Sequence, residues 1–563
     1  MTTHSLARPA RGRRSRVAIL GAGATLAGIL AAVGGTSGGQ AHAGIRPWFL
    51  PGNLVVSSSV YEGQAGLFQP GVTVLPPGCT TGCVTATNDG SYPGVFNNVI
   101  PDPSFGVTSP IFLDQITPDG RHINTLRVPD GAGPFGAVTS HVVTSFSSKS
   151  EIALNLSTNG RDLTFMGYDA APNAVDASNS NTPADIDTTN PVTSSNYRVV
   201  AEVNQFGQFH YTLTNAYSGN NGRAAILNNS HGSNVVYTAG NAGNGSNPQP
   251  DGIITGAGAQ ILTPQYAPEA LQTPGQPTPV GSFSVSQLGD KADKVGKDTN
   301  FRGLTVFNNV VYLTKGSGSN GINTVYFIDT TGTACPSGVG VPAAGATLPT
   351  SPIAYDPSLL QTQGVTPYNM CVLKGFPTTL AKTSTAFPFG IWFANADTLY
   401  VADEGSGDNT FSTSSGTYTN AAAQTTAGLQ KWVFNGSSWT LAYTLSGGLN
   451  LGIPYTVKGY PAGDNAVTGL PWAPATDGLR NITGRVNRNG TVSIWAITST
   501  VSGGGDQGAD PNKLVEITDD LAATAPGARE QFATVRSAGF GEVLRGVSFT
   551  PGTDSEGFGG FGR

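Results

Sequence analysis

Four arginines recur at one place in a repeated sequence unit. Arg223, Arg302, Arg480 and Arg545 each open a short apolar run that leads, through a polar turn, into a second apolar run. Charge follows the second run: Asp169, Lys315 and the pair Asp403 and Glu404, with Glu62 in the matching place near the N-terminus. A guanidinium carries five donors in a fixed fork and suits carboxylates, phosphates and sulfates. If the repeats share one face, these side chains meet there, and Arg223, Arg302, Arg480, Arg545, Asp169 and Lys315 are the expected binding residues. The plainer account is that each Arg pairs with an acid or carbonyl of a neighbouring unit, because a buried charge needs a partner in any case.

Other residues could do chemistry at the same face. The segment 403–409 is acidic and bent by Gly405 and Gly407, so its oxygens could hold calcium, with Asp403 and Asp408 as ligands. It lacks the spaced carboxylates and terminal Glu of an EF-hand, and a solvated turn competes with that reading. No cofactor is required. His141, just upstream of an apolar run, is the best placed general base and joins Asp403 and Glu404 as a catalytic candidate. His231 falls in a turn, and both histidines also read as ordinary polar loop residues. The stretch 35–39 fits a nucleophile-elbow pattern but falls in the leader described below. No H-E-x-x-H, phosphate-binding loop or zinc spacing occurs. Trp392, Trp432, Trp439 and Trp495 alternate within apolar runs and read as core, whereas Trp472 stands in a loop and could stack on a sugar ring.

Composition bounds the class of protein. With 29 Lys+Arg against 35 Asp+Glu, the chain is mildly acidic and lacks the basic stripe of a nucleic-acid binder. Gly (76) and Pro (38) separate many short β-branched runs, which favours an all-β protein over long helices. Residues 1–43 read as a signal peptide for the general secretory or the twin-arginine route. Arg8 to Arg16 supply the basic part, 17–33 the apolar part, and Ala41-His42-Ala43 the cleavage signal. No other segment is apolar enough to span a membrane, so a secreted, extracellular protein is expected, a monomer, with 44–552 folded and 553–563 a flexible Gly-rich tail. In that compartment the four cysteines read as disulfides, most simply Cys79 with Cys83 and Cys335 with Cys371. The Cys79/Cys83 spacing could also hold a soft metal, but no His or Met stands close to complete it.

The repeat itself fixes the architecture. Its clearest copy is 389–403, an apolar strand, a turn, and the strand Thr398-Leu-Tyr-Val-Ala-Asp403. Related copies begin near Glu151, Arg223, Arg302 and Arg480, and a half-copy follows Leu544. Each unit offers about four strands over roughly 65–90 residues, longer than the ~40–45 of a WD40 blade, with the excess in loops. Four-stranded units repeated in line define a β-propeller. The half-copy at Arg545 lacks a second strand and the run 54–61 lacks a partner before it. Joined, they complete a sixth blade; seven blades is the alternative if 64–110 or 243–300 hides more strands.

The pattern of Arg-led strands, Thr398–Asp403 and Gly428-Leu-Gln-Lys-Trp432 resembles the six-bladed propellers of the SMP-30/gluconolactonase and NHL-like folds. It resembles most an uncharacterised group of secreted bacterial propellers. The resemblance implies architecture over nearly all of the mature chain, and a fold of this kind says little about reaction type. Gluconolactonase-type enzymes hold a divalent cation in the channel with Glu, Asn and Asp; Asn155, Asn228 and Asn481 lie on inner strands here. Two functions are therefore expected to compete. One is a binding protein for an extracellular polymer, a small anionic ligand, a carbohydrate or a protein, at the channel mouth or loop face. The other is a channel-centred enzyme, a cation-dependent lactonase or ester hydrolase, or a polysaccharide lyase that uses Arg against a uronate.

Overall fold

A computed structural model of the chain describes residues 46–61, 106–131, 142–242, 258–265, 300–352 and 370–553, apart from isolated positions and pairs within them, together with short pieces of 71–85 and 270–288. Its apolar runs pair into six antiparallel sheets. From the inside outward, blade 1 is Glu542–Phe549, Leu54–Val60, Ile111–Ile116 and His122–Arg127. Blade 2 is Asn155–Leu156, Asp162–Asp169, Arg198–Asn204 and Phe209–Thr214. Blade 3 is Gly222–Asn228, Val235–Gly240, Ala259–Leu262 and Pro279–Gly281. Blade 4 is Leu304–Phe307, Val310–Lys315, Thr324–Ile328 and Met370–Leu373. Blade 5 is Pro388–Asn395, Thr398–Asp403, Gly428–Phe434 and Trp439–Leu445. Blade 6 is Ala475–Val486, Thr491–Val501, Lys513–Asp520 and Ala533–Ser537. The inner strand of every blade touches those of its two neighbours, so the ring is closed. The fold is a six-bladed β-propeller, and Leu54–Val60 pairs along its length with Glu542–Phe549 as the repeat requires.

Alternation puts a core between each pair of blades. In Thr398–Asp403, Leu399 and Val401 face blade 4, while Tyr400 and Ala402 face blade 6, because successive side chains of a strand point to opposite faces. Each of the six interfaces has its own buried apolar cluster. The tryptophans divide among these interfaces: Trp432 stacks on Phe376 at 3.9 Å, and Trp495 is buried between blades 6 and 1. Polar ties cross the same interfaces. Lys431 and Asp519, both fully buried, meet at 3.0 Å between blades 5 and 6, with Tyr400 and Tyr443 donating to the carboxylate. The Lys431 ammonium also donates to the Asp520 carbonyl at 2.6 Å, so neither charge is left without partners. Arg536 on blade 6 reaches Asp114 on blade 1 at 2.7 Å across the closing interface.

At the end where the inner strands begin, neighbouring strands come so close that side chains are excluded. A Cβ on Gly303 would lie 2.0 Å from the Phe389 carbonyl oxygen, one on Gly390 would lie 2.3 Å from that of Arg480, and one on Gly546 would lie 2.6 Å from that of Ile152. A hydroxyl on the second strand bridges two of these contacts in the same way. The Gly303 N–H donates to Thr314 Oγ1 at 2.8 Å, and that hydroxyl donates to the Phe389 carbonyl. The Gly546 N–H donates to Ser57 Oγ at 2.8 Å, and that hydroxyl donates to the Ile152 carbonyl at 2.7 Å. The repeat thus encodes a blade-to-blade relay as well as strands.

Several expectations change in detail. The inner strand of blade 2, expected over 151–157, is paired only at Asn155–Leu156. Ile152 sits at φ 52, a left-handed conformation costly for a β-branched residue, and it turns Glu151 inward. In blade 3 the strand expected over 260–263 is observed as Ala259–Leu262, and a strand also expected over 252–255 lies outside the described residues. The cysteine-bearing excursion of blade 4 returns as that blade's outer strand, carrying Cys371 into a disulfide with Cys335. Cys79, Cys83, Glu62 and His141 lie outside the described residues. Gly303→Ala is expected to cost about 3 kcal/mol through overpacking against Phe389. Gly447→Ala, whose Cβ would find its nearest neighbour at 3.4 Å, should stay within about 0.5 kcal/mol. Urea unfolding midpoints of the two variants check the contrast.

Candidate functional site

Because inner strands begin and second strands end on one face, the four arginines lie there, each on or just before an inner strand. All four are buried, between 4% and 8% exposed. Three of them hydrogen-bond to segments of neighbouring blades. Arg223 on blade 3 donates from Nη1 to Asn300 Oδ1 and to the Phe301 carbonyl at 3.0 Å, the lead into blade 4. Arg545 on blade 1 donates to the Gly508 carbonyl at 3.0 Å on blade 6 and to the Phe146 carbonyl on the approach to blade 2. Arg302 places Nε on Ser317 Oγ at 3.0 Å, Nη2 on the same oxygen, and Nη1 on Ser150 Oγ. Burial pushes the Arg223 guanidinium well below its ordinary pKa, and the neighbouring Arg302 charge adds to the effect. Burial also lowers Arg302, with Glu404 opposing and Arg480 reinforcing.

Arg480 is different. Its Nε donates to Glu404 Oε2 at 3.2 Å, an ion pair between blades 6 and 5. Its Nη1 and Nη2 make no hydrogen bond to any described residue. Arg480 lines a polar pocket of about 180 Å³ with Arg302, Glu404, Asp477, Ser317 and Gln507. The mouth therefore brings together Arg302, Arg480 and Glu404 from the expected set. It does not bring in Arg223, Arg545 or Asp169, none of which lines the pocket. Lys315 lies beneath it, its Nζ donating to the Ser317 carbonyl at 3.1 Å and to Asn323 Oδ1 at 3.0 Å.

Asp477 was not legible as a site residue, because the inner strand of blade 6 starts at Ala475, well before the Arg480 that marks the repeat. The loop after Glu404 wraps around its carboxylate. The Gly407 N–H donates to Asp477 Oδ2 at 2.7 Å and Gln424 Nε2 to Oδ1 at 2.5 Å. Gly405, at φ 81, packs so tightly that a Cβ would lie 2.4 Å from the same carboxylate. Burial raises the Asp477 pKa to about 6 against those hydrogen bonds. Asp403 is fully buried and turned inward, accepting from the Phe387 N–H at 2.8 Å and the Gly405 N–H at 3.0 Å; burial raises it to about 7. Asp408 is exposed and organises its own turn, accepting from the Thr410 N–H at 2.9 Å and Asn420 Nδ2 at 2.7 Å.

Among the described residues, the one group of three metal-ligating side chains is Asp329, Cys335 and Cys371, whose cysteines are joined in the disulfide; Asp403 and Asp408 form no such group. The inner-strand asparagines serve other contacts. Asn155 Nδ2 donates to the Ala225 carbonyl at 3.2 Å, Asn228 Nδ2 to the Tyr237 hydroxyl at 3.0 Å, and Asn481 Oδ1 accepts from the Val547 N–H at 2.7 Å. His231 is an exposed turn residue at φ 52. Trp472, expected as a stacking platform, is instead 2% exposed and packs edge-on to Tyr460 at 6.3 Å, so no sugar can reach its face.

No protein-family model and no curated protein matches this chain. Among solved structures, the parainfluenza virus 5 hemagglutinin-neuraminidase ectodomain aligns at 9% identity over 79% of this chain and 77% of that one, with a TM-score of 0.28. An ulvan lyase of polysaccharide lyase family PL25 aligns at 10% identity over 87% of this chain and 96% of that one, with a TM-score of 0.29. Scores of this order carry no functional inference, and the fold assignment rests on the sheet order and the closed ring of inner strands.

Burial of the Asp477 carboxyl makes folding stability depend on pH. The folded protein holds this proton more tightly than the unfolded chain, whose value is near 3.8. The penalty for ionising it is absent at low pH and grows until pH passes about 6. Asp477→Asn should therefore gain in thermal stability relative to the parent as pH rises from about 4 to about 8. The difference between the two melting curves isolates this group from Asp403 and Asp510, which titrate near the same range.

Proposed function

We propose that this propeller is a secreted binding protein that holds an acidic sugar of an extracellular glycan, or a comparable small anion, in the mouth pocket. The observation that supports this reading is the Arg480 fork, with Nε fixed by Glu404 and both terminal nitrogens unpaired at a polar cavity. A carboxylate or sulfate accepting from Nη1 and Nη2 together would form a charge-assisted bidentate pair. Glu404, Asp477 and Gln507 beside it offer acceptors for hydroxyl groups, so a uronate, with both kinds of group on one ring, fits the lining better than a bare anion. A cavity of about 180 Å³ admits one residue or a protruding group rather than a length of polymer. The signal peptide read in residues 1–43 would direct export, and no helix among the described residues is long and apolar enough to cross a membrane.

A second reading, a cation-dependent lactonase or ester hydrolase, or a polysaccharide lyase, draws on Asp477. A carboxyl that titrates near 6 beside two arginines can exchange a proton at neutral pH. Calcium would be the cation of that reading, held by carboxylates that line the pocket. Titration calorimetry of the mature protein with glucuronate and galacturonate oligosaccharides should show binding that weakens at least about tenfold in Arg480→Gln. Parallel incubation with lactones, esters and acidic polysaccharides, with and without EDTA, separates the readings. Turnover would favour the enzyme; neither binding nor turnover would sink both.

A further inference from the structure

The opposite face of the ring carries a second pocket with a different chemistry. There the inner hairpin of blade 4 turns at Asn308 and Asn309, both left-handed at φ 46 and φ 60, as a tight two-residue hairpin demands. Beside this turn a groove of about 540 Å³ opens between blades 4 and 5, within the size range of small-ligand sites. Its outer wall is the loop 341–346. That loop follows Val339–Gly340, which pairs with Met370–Leu373, the strand whose Cys371 is bonded to Cys335. A wall braced in this way is set in place by the fold.

The floor is aromatic. Phe307 and Phe393 stack with centroids 4.5 Å apart, and Trp439 meets Phe393 edge-on at 5.9 Å. Among the described residues, no acidic or basic side chain lines the groove. Two buried side chains that carry a polar group do: Tyr312 with its hydroxyl and Trp439 with its indole N–H, 5% and 6% exposed. Neither donates to or accepts from any described residue, and neither atom is sealed from solvent. Trp432 and Trp495, buried in the neighbouring cores, satisfy the same N–H on Gln430 at 3.0 Å and on the Pro118 carbonyl at 3.1 Å. Buried Tyr and Trp groups ordinarily find a partner, so two unfilled ones facing one groove call for a ligand that supplies it. The amides of Asn308 and Asn309 at the rim are likewise without a protein partner among the described residues.

We propose that this groove binds a neutral sugar ring, its apolar face against the aromatic floor and its hydroxyls paired with Tyr312, Trp439 and the two asparagines. An aromatic or alkyl ligand would leave these polar groups unmatched, and a charged one would find no counter-charge. The site stands apart from the mouth and does not depend on the uronate reading. Full-length mature protein is titrated with maltose, cellobiose and xylobiose, with phenol as the apolar control. At least one disaccharide should bind, and Tyr312→Phe and Trp439→Phe, which keep the ring and lose the donor, should each weaken it roughly tenfold. Tyr312→Phe should keep its melting temperature and leave uronate affinity unchanged. Failure of all three disaccharides, affinity unchanged in both variants, or binding of phenol alone would overturn the proposal.

Discussion

The inner strands of this propeller converge until carbonyl oxygens of one blade occupy the space where the next blade would carry a Cβ. Gly303, Gly390 and Gly546 exist at that convergence because nothing larger fits. The Thr314 and Ser57 hydroxyls then join the crowded backbones by accepting a hydrogen bond from a glycine N–H and donating one to the neighbouring carbonyl. Arg302 and Arg545 directly precede two of these glycines, and all four arginines lie buried on this face.

Burying a guanidinium is costly unless its donors are met, and the protein meets them unequally. Arg302 spends all three nitrogens on serine hydroxyls, and Arg223 and Arg545 reach carbonyls of their neighbours. Arg480 alone among the four combines an ion pair with a terminal fork that no described residue fills. The two accounts of the arginines thus divide among copies of one repeat position: Arg223, Arg302 and Arg545 tie blades together, and Arg480 is the copy proposed to hold an anion. The acids divide too: Asp403 is consumed in shaping the loop, while Glu404 and Asp477 line the cavity it encloses.

Strand alternation made the hairpins legible, as in Leu399 and Tyr400 facing opposite neighbours, and counting hairpins led to six blades with a shared closing blade. What escaped were elements whose pairing outweighs their local pattern. Pro279–Gly281 is three residues in a Gly/Pro-rich stretch, and Met370–Leu373 hides in the cysteine excursion. The left-handed Ile152 cuts short a run that alternation extends. The repeat position of the arginines was readable, but the free fork of Arg480 was not. It depends on Glu404, 76 residues away, and on a glycine loop folded around Asp477. Trp472 looked like a loop platform because sequence does not reveal that Tyr460 covers it.

At the mouth, Arg480 is the one of the four arginines whose Nη1 and Nη2 both make no hydrogen bond to any described residue, its Nε being held by Glu404. A crystal of the mature protein soaked in bromide tests it directly, since the anion is heavy enough to locate by its anomalous signal and small enough for the pocket. The account predicts a bromide within hydrogen-bond distance of Arg480 Nη1 and Nη2, and none at Arg223. Bromide bound elsewhere on the surface with none at Arg480, or Arg480 Nη1 and Nη2 found paired to protein oxygens, would contradict it.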